Sequence, residues 1–247
     1  MGSRDDVLAG GGTGGTTSSP MAFPIPVEEL GTVSIVPNGS FEAGSYQTFV
    51  LTYVAGKFGI DDSGSMRVCF RFASDQTRPQ FEDPKGPNYT TIEASNNAVL
   101  TYHYDPKGNV RPWDRTLYIK VVRGFLREGD KITITFGDRS GGSPGMRLQT
   151  FCEDSYEFHT LIDPIATYCY QPMPVQPVIK IIPGKPDRYL AVAPTIRAID
   201  ESFTIKFKGE DKWGNPSDQC DIQLYPHASH PIKNLPNMVS LKPGEFF

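Results

Sequence analysis

Two histidines three positions apart, His227 and His230 in the run HASH, are the nearest approach to a metal pair in this 247-residue chain. Neutral imidazoles hold zinc or iron, but a site takes three or four ligands. Asp218 and Asp221 lie close by in sequence. A proline-flanked polar segment near a chain end nevertheless reads as a solvated loop, so no metal and no cofactor is expected. Nucleophiles fare no better. Ser143 sits in GGSPG, which lacks the GxSxG spacing and the strand-to-helix turn of a nucleophile elbow. Cys152 acting with His159 would need the two side chains within about 3.2 Å, and nothing local brings them there. The expected catalytic set is therefore empty. Carboxylate pairs at Asp61-Asp62, Glu82-Asp83, Glu128-Asp130, Glu153-Asp154 and Glu210-Asp211 could offer calcium several oxygens. None has EF-hand spacing, and they read as hydrophilic turns.

Aromatic residues give the remaining chemistry. Tyr89, Tyr102, Tyr104, Trp113 and Phe81 surround a long polar excursion and the two turns after it. Aromatic rings exposed in a cleft stack on sugars and other flat ligands. Tyr89, Tyr102 and Trp113 are accordingly ligand-binding candidates, with core packing as the alternative. Asp138 and Arg139 join them as polar groups of a glycine loop, residues 137–145, that leaves the clearest strand of the chain. Gly137, Gly141, Gly142 and Gly145 permit positive φ, and Asp138 and Ser140 can bond nearby backbone N–H groups. A phosphate cradle would need a helix N-terminus just afterwards and a Lys-Ser/Thr pair. Neither follows. The loop reads as an ordered connection between strands.

The elements that must position these residues are strands. Ile132, Ile134 and Phe136 alternate with Lys131, Thr133 and Thr135, and residues 48–54 (TFVLTYV) put Phe49, Leu51 and Tyr53 on one face. Met66, Val68, Phe70 and Phe72 point one way while Arg67, Cys69 and Arg71 point the other. Strand patterns recur at 33–36, 92–94, 99–104, 116–122, 146–151 and 157–162. Gly 24, Pro 22, Phe 15 and Tyr 11 also favour an all-β chain over a helical one. The expected fold is an immunoglobulin-like β-sandwich over 29–171, then a second, cut-short β-sandwich over 172–247. Three prolines in residues 171–177 (QPMPVQP) predict the linker. The second set, at 178–182, 188–192, 203–207 and 222–224, is thin against the roughly seven strands of an immunoglobulin-like domain.

Residues 1–28 are expected to be a disordered leader, because the glycine, serine and threonine of the first twenty bury almost nothing and prolines 24 and 26 extend the rest. The leader lacks the apolar centre of a secretory signal, and localisation stays open. No apolar run approaches the roughly 20 residues of a membrane span, so no membrane partner is expected. A net charge of −4 and a pI near 5.6 argue against nucleic acid, whose binding needs a basic face. The four cysteines are too far apart for a zinc knuckle. A Cys152–Cys169 bridge is open, since it depends on Cα atoms within about 7 Å.

Three runs carry a resemblance: GDRSGGSPGMRLQTF (137–151), IIPGKPDRYLAVAPT (181–195) and EDKWGNPSD (210–218). In this order they resemble the N-terminal part of a family of large, mostly bacterial proteins, a domain of unknown function. In that family a β-rich leader precedes a module similar to metal-dependent hydrolases of the polymerase-and-histidinol-phosphatase (PHP) type. The resemblance spans roughly residues 30–225. It implies a non-catalytic unit that packs against, or presents substrate to, a catalytic module of the same polypeptide. The His-x-His signature of that module has no match among His103, His159, His227 and His230, which places it outside this chain. The alternative is a stand-alone module that binds a carbohydrate or an aromatic ligand.

Overall fold

The computed structural model describes residues 25–244, and these form an all-β sandwich whose only helical element is the 3-10 turn Val27–Glu29. Two sheets face each other. One has four strands in the order Gly31–Val36, Phe49–Ala55, Lys131–Phe136, Thr90–Ala94. The other has five, in the order Gln171–Pro172, His159–Asp163, Ser65–Phe70, Arg115–Arg123, Val99–Asp105. All pairings within both sheets are antiparallel.

The period of two decides what lies between them. Phe49, Leu51 and Tyr53 meet Ile132, Ile134 and Phe136 on one inner face, and Met66, Val68 and Phe70 meet Leu117, Ile119 and Val121 on the other. All twelve are buried. Phe158, in the break between strands Glu153–Glu157 and His159–Asp163, sits at their centre. Its ring lies 5.5 to 5.7 Å from those of Phe49, Phe70, Phe136 and Tyr156. Such edge-to-face and tilted packing adds to simple burial. Tyr53 is buried too, and its hydroxyl donates to the Leu30 carbonyl at 2.8 Å.

Two expectations need correction. Most of the expected disordered leader lies outside the described residues, but of its last four residues Val27 and Glu28 open the 3-10 turn at the surface and Ile25 reaches the core. Ile25 is buried in the core and its carbonyl accepts from Gln171 Nε2 at 3.0 Å. The proline run at 171–177 is not a free linker either. Gln171–Pro172 pairs with Leu161 and Ile162, Met173 is buried, and Gln176 ties its side chain to both ends of Thr160. A glutamine amide thus supplies the hydrogen bonds that the prolines cannot. The next strand, Val178–Ile182, still belongs to the first body. It pairs antiparallel with Glu153–Glu157 and parallel with Ser40–Glu42, and buries Ile179 and Ile181 in the same core.

Beyond it the chain thins. Arg188–Val192, Lys206–Glu210 and Pro216–Ser217 form a three-stranded sheet, and Ile222–Leu224 pairs with Val239–Leu241. The turn DKWGNP fastens this part to the body. Trp213 Nε1 donates to the Ala43 carbonyl at 3.0 Å, with the indole against Gly44, where a Cβ would fall 2.6 Å from the ring. Asn215 Nδ2 donates to the Thr150 carbonyl at 2.9 Å and its Oδ1 accepts from the Cys152 amide at 3.2 Å.

Candidate functional site

Strand alternation sends Ser65, Arg67 and Cys69 to the outer face of the five-stranded sheet, opposite their buried neighbours. Pairing then sets the rows. Arg67 lies between Leu161 and Tyr118, and Tyr118 lies beside His103. One row along, Ser65 lies between Asp163 and Lys120. Tyr170 folds over both rows, its hydroxyl 2.6 Å from Ser65 Oγ and its ring 3.7 Å from the Arg67 guanidinium carbon. The Tyr118 ring is 5.8 Å from the same carbon and 5.1 Å from the His103 ring. His103, Tyr118, Arg67 and Tyr170 therefore form one chain of rings and cation, the geometry in which a guanidinium is held by π faces.

The loop 106–114 closes the other end. Asn109 accepts from Arg67 Nη1 at 3.4 Å and donates to Cys69 Sγ at 3.6 Å. Trp113 stacks on His159 with centroids 4.8 Å apart and planes 15° apart. The Arg71 guanidinium lies 5.4 Å from the same indole and pairs with Glu153 at 2.7 Å. Burial pushes the Cys69 thiol up to about 11, against smaller opposing effects from Thr116, Arg67 and Asn109. It stays a thiol at neutral pH and is no nucleophile. Burial also pushes the Tyr170 phenol up to about 12; the bond to Ser65 opposes this and the bond to Tyr118 adds to it. Tyr170 remains a hydrogen-bond donor.

The five sequence candidates are distributed over different places. Trp113 belongs to the outer face, where its ring pins the loop to the sheet. Tyr102 points the opposite way, against the core, and packs on Phe81 at 4.8 Å. Tyr89, Asp138 and Arg139 lie together at the glycine loop. The Tyr89 carbonyl accepts from the Asp138 amide at 2.7 Å, and the Asp138 carboxylate accepts from the Ser140 amide and the Thr91 hydroxyl, both at 2.9 Å. Those bonds, led by the Ser140 amide, hold the Asp138 carboxyl below the usual range. Arg139 Nη2 donates to the Tyr46 carbonyl at 2.9 Å and lies over Gly145. The polar groups of this loop are engaged in its own architecture.

Other candidates resolve the same way. His159 Nδ1 is 2.6 Å from Glu157 Oε1, and its ring is covered by Trp113, so it is committed away from Cys152. Burial raises the Cys152 thiol to about 11, with further contributions from Asp211, Asp154 and Asp218. Cys152 and Cys169 are free thiols, as are Cys69 and Cys220. Glu153, Asp154 and Glu210 pair with Arg71, Lys180 and Arg188, and Asp211 accepts from the amides of Trp213, Asn215 and Gly184. Among the described residues no three His, Cys, Asp or Glu side chains gather as a metal site.

No protein-family model and no curated protein matches the chain. What the outer face can do follows from its own chemistry. It offers hydrogen-bond donors and cations, and the Asp163 carboxylate nearest to it is consumed by the Thr167 and Tyr168 amides. Arg67 was within reach of sequence reasoning, because alternation places it opposite the core. Its partners were not. Tyr118, His103 and Tyr170 come from distant strands, and only strand register brings them beside it.

Proposed function

We propose that the chain is a non-catalytic β-sandwich unit that packs against, or presents substrate to, a metal-dependent catalytic module of the same polypeptide. One observation supports the packing role beside the three-motif resemblance. The region 183–244 leaves apolar side chains uncovered: Ile199 is 94% exposed, Ile196 86% and Val192 53%. Within eight residues of chain this much exposed apolar surface is what a covering body would bury. The catalytic part of the reading rests on the resemblance alone.

The reading frame downstream of Phe247 provides the test. An open frame carrying a His-x-His signature is expected, and a stop codon directly after Phe247 overturns the proposal. In the longer polypeptide, amide hydrogen exchange across residues 188–203 should be slower than in this chain, as covering the surface requires.

A further inference from the structure

We propose that Asn38 is a site of spontaneous covalent modification: the Gly39 nitrogen displaces its side-chain amide as ammonia, and the isoaspartate that results loosens the hold of Gly39 on strand Val178–Ile182. The inference is independent of any catalytic module. Asn38 is the only asparagine of the chain that precedes a glycine. With Gly39 it forms the turn between strands Gly31–Val36 and Ser40–Glu42, and both residues are exposed. Glycine suits this turn because it takes positive φ without strain, and Gly39 sits at φ +115°. The same pair is what the cyclisation needs.

The reaction is an intramolecular acyl transfer, favoured because nucleophile and carbonyl are held in one short segment. The Gly39 nitrogen gives its proton to hydroxide and bonds to Asn38 Cγ, while the Cγ–Nδ2 bond breaks and ammonia leaves. Water then opens the resulting five-membered imide at either carbonyl. Opening at the main-chain carbonyl leaves isoaspartate, whose backbone runs through Cγ, and opening at Cγ leaves aspartate. This turn leaves the first step unopposed. Among the described residues neither the Asn38 side chain nor the Gly39 N–H makes a hydrogen bond that would have to be given up. A Cβ at Gly39 would meet nothing within 4 Å, so the surroundings are open as well. The other asparagines each lack something. The side-chain amides of Asn88, Asn96, Asn109 and Asn215 are already bonded. Asn97, Asn234 and Asn237 precede Ala98, Leu235 and Met238, whose side chains crowd the attacking nitrogen. The product matters because of what Gly39 holds. Its carbonyl accepts from the Lys180 amide at 2.8 Å, where the parallel pairing of Ser40–Glu42 with Val178–Ile182 begins. Isoaspartate lengthens the backbone immediately before that anchor. It also adds a carboxylate to a shallow depression that Asn38 shares with Lys180 and its partner Asp154.

The test incubates the whole chain at mildly alkaline pH and maps its peptides by mass spectrometry at intervals, with electron-transfer fragmentation to separate isoaspartate from aspartate. Asn38 should convert before any other asparagine, with isoaspartate in excess. Gly39→Ala should slow the conversion roughly tenfold or more, because a side chain then stands beside the attacking nitrogen. Asn38→Gln keeps an exposed amide but demands a larger ring, and should stop conversion at this position. In the converted protein the Lys180 amide should exchange faster than in the unconverted one. First conversion at another asparagine, an intact Asn38 over the time in which a free peptide of residues 36–42 converts fully, or a wild-type rate in Gly39→Ala overturns the proposal. Equal exchange at Lys180 before and after conversion overturns the loosening of the strand.

Discussion

The body up to Ile182 and the region from 183 to 244 are both made of strands, yet they are held together by different physics. The body closes two sheets on a shared core centred on Phe158. In the later region the only fully buried hydrophobic side chains among the described residues are Cys220 and Leu241. It stays in place through polar bonds and one indole. Buried apolar area stabilises a sheet wherever it lies, whereas a hydrogen bond adds about 1 kcal/mol net and depends on its geometry. The two regions should therefore fail in different ways.

The largest difference is expected from truncating the core. Phe158→Ala removes a ring that touches four others and should cost about 3–5 kcal/mol in denaturant unfolding of the body. Ile199→Ala, the corresponding loss of a large apolar side chain in the later region, should stay within about 0.5 kcal/mol because the residue is already in water. If the two costs are similar, the contrast between the regions is wrong.

Next comes the glycine loop that joins strand Lys131–Phe136 to Met146–Arg147 inside the body. Gly145 has φ +106°, and a Cβ there would lie 2.8 Å from the Gln47 carbonyl oxygen and 3.0 Å from Arg139 Nη2. Gly145→Val should lower stability by at least roughly 1–2 kcal/mol, the cost of forcing a side chain into positive φ. Gly141 has ordinary backbone angles but abuts Pro84, with the proline carbonyl 2.9 Å from a Cβ, so Gly141→Val should also lower the unfolding midpoint. Asp138→Ala with Arg139→Ala should cost less, since both side chains bond at a partly open surface. A glycine variant that melts like the wild type, beside an Asp138/Arg139 variant that loses a ligand, would make this loop a recognition site.

How much of this was legible in the sequence depends on whether the signal was local. Alternation along Lys131–Phe136 located that strand to the residue, because period two is written in neighbouring positions. The strands expected at 178–182, 188–192 and 222–224 match as well, whereas the alternating run expected at 203–207 pairs three residues later, at Lys206–Glu210. Residues 146–151 looked extended, yet only Met146 and Arg147 pair in a sheet; Leu148 and Gln149 bond to Ser45 and Gly44, and Thr150 to the excursion and the docking turn. The prolines at 171–177 signalled a break, but Gln176 and the buried Met173 keep that segment in the body. The excursion at 73–88 looked longer than packing requires. Asp75 holds it down, accepting from the Thr150 amide and hydroxyl at 2.8 and 2.9 Å, while Arg147 donates to the Asp75 carbonyl at 2.6 Å. Partners some seventy residues away leave no local mark, and the Arg67 cluster was hidden for the same reason.

A smaller effect is expected at the joint between the regions. Asp211 is buried, which alone would raise its carboxyl, but the Asn215 side chain and the amides of Asn215, Gly184 and Trp213 outweigh this and hold it below 3.8. A carboxyl depressed by folding stabilises the folded form above its unfolded value, and that contribution is lost as pH falls through the folded one. Acid below pH 3.8 should thus loosen the DKWGNP turn, read as faster amide exchange across 183–244. Asp211→Asn should produce that faster exchange at neutral pH and flatten its acid dependence. Unchanged exchange in the variant would mean that Trp213 and Asn215 hold the joint without the carboxylate.

The smallest expected effect is none, and it concerns metal. His227 and His230 are both exposed in the later region, His230 Nδ1 lies 3.1 Å from Ser229 Oγ, and among the described residues no third ligand joins them. Two imidazoles on a solvated loop would have to order that loop and recruit other ligands, and the cost of ordering offsets the gain from binding. Zinc, manganese or iron added to this chain should therefore give no stoichiometric heat by calorimetry and no turnover of phosphoesters. The contrast between the regions sharpens the test, because a metal that did bind here would tighten the weakly packed part and slow amide exchange across 183–244 while leaving the body unchanged. Tight binding that disappears in the His227→Ala, His230→Ala double variant would show that the later region is ordered by metal instead of by an adjoining module.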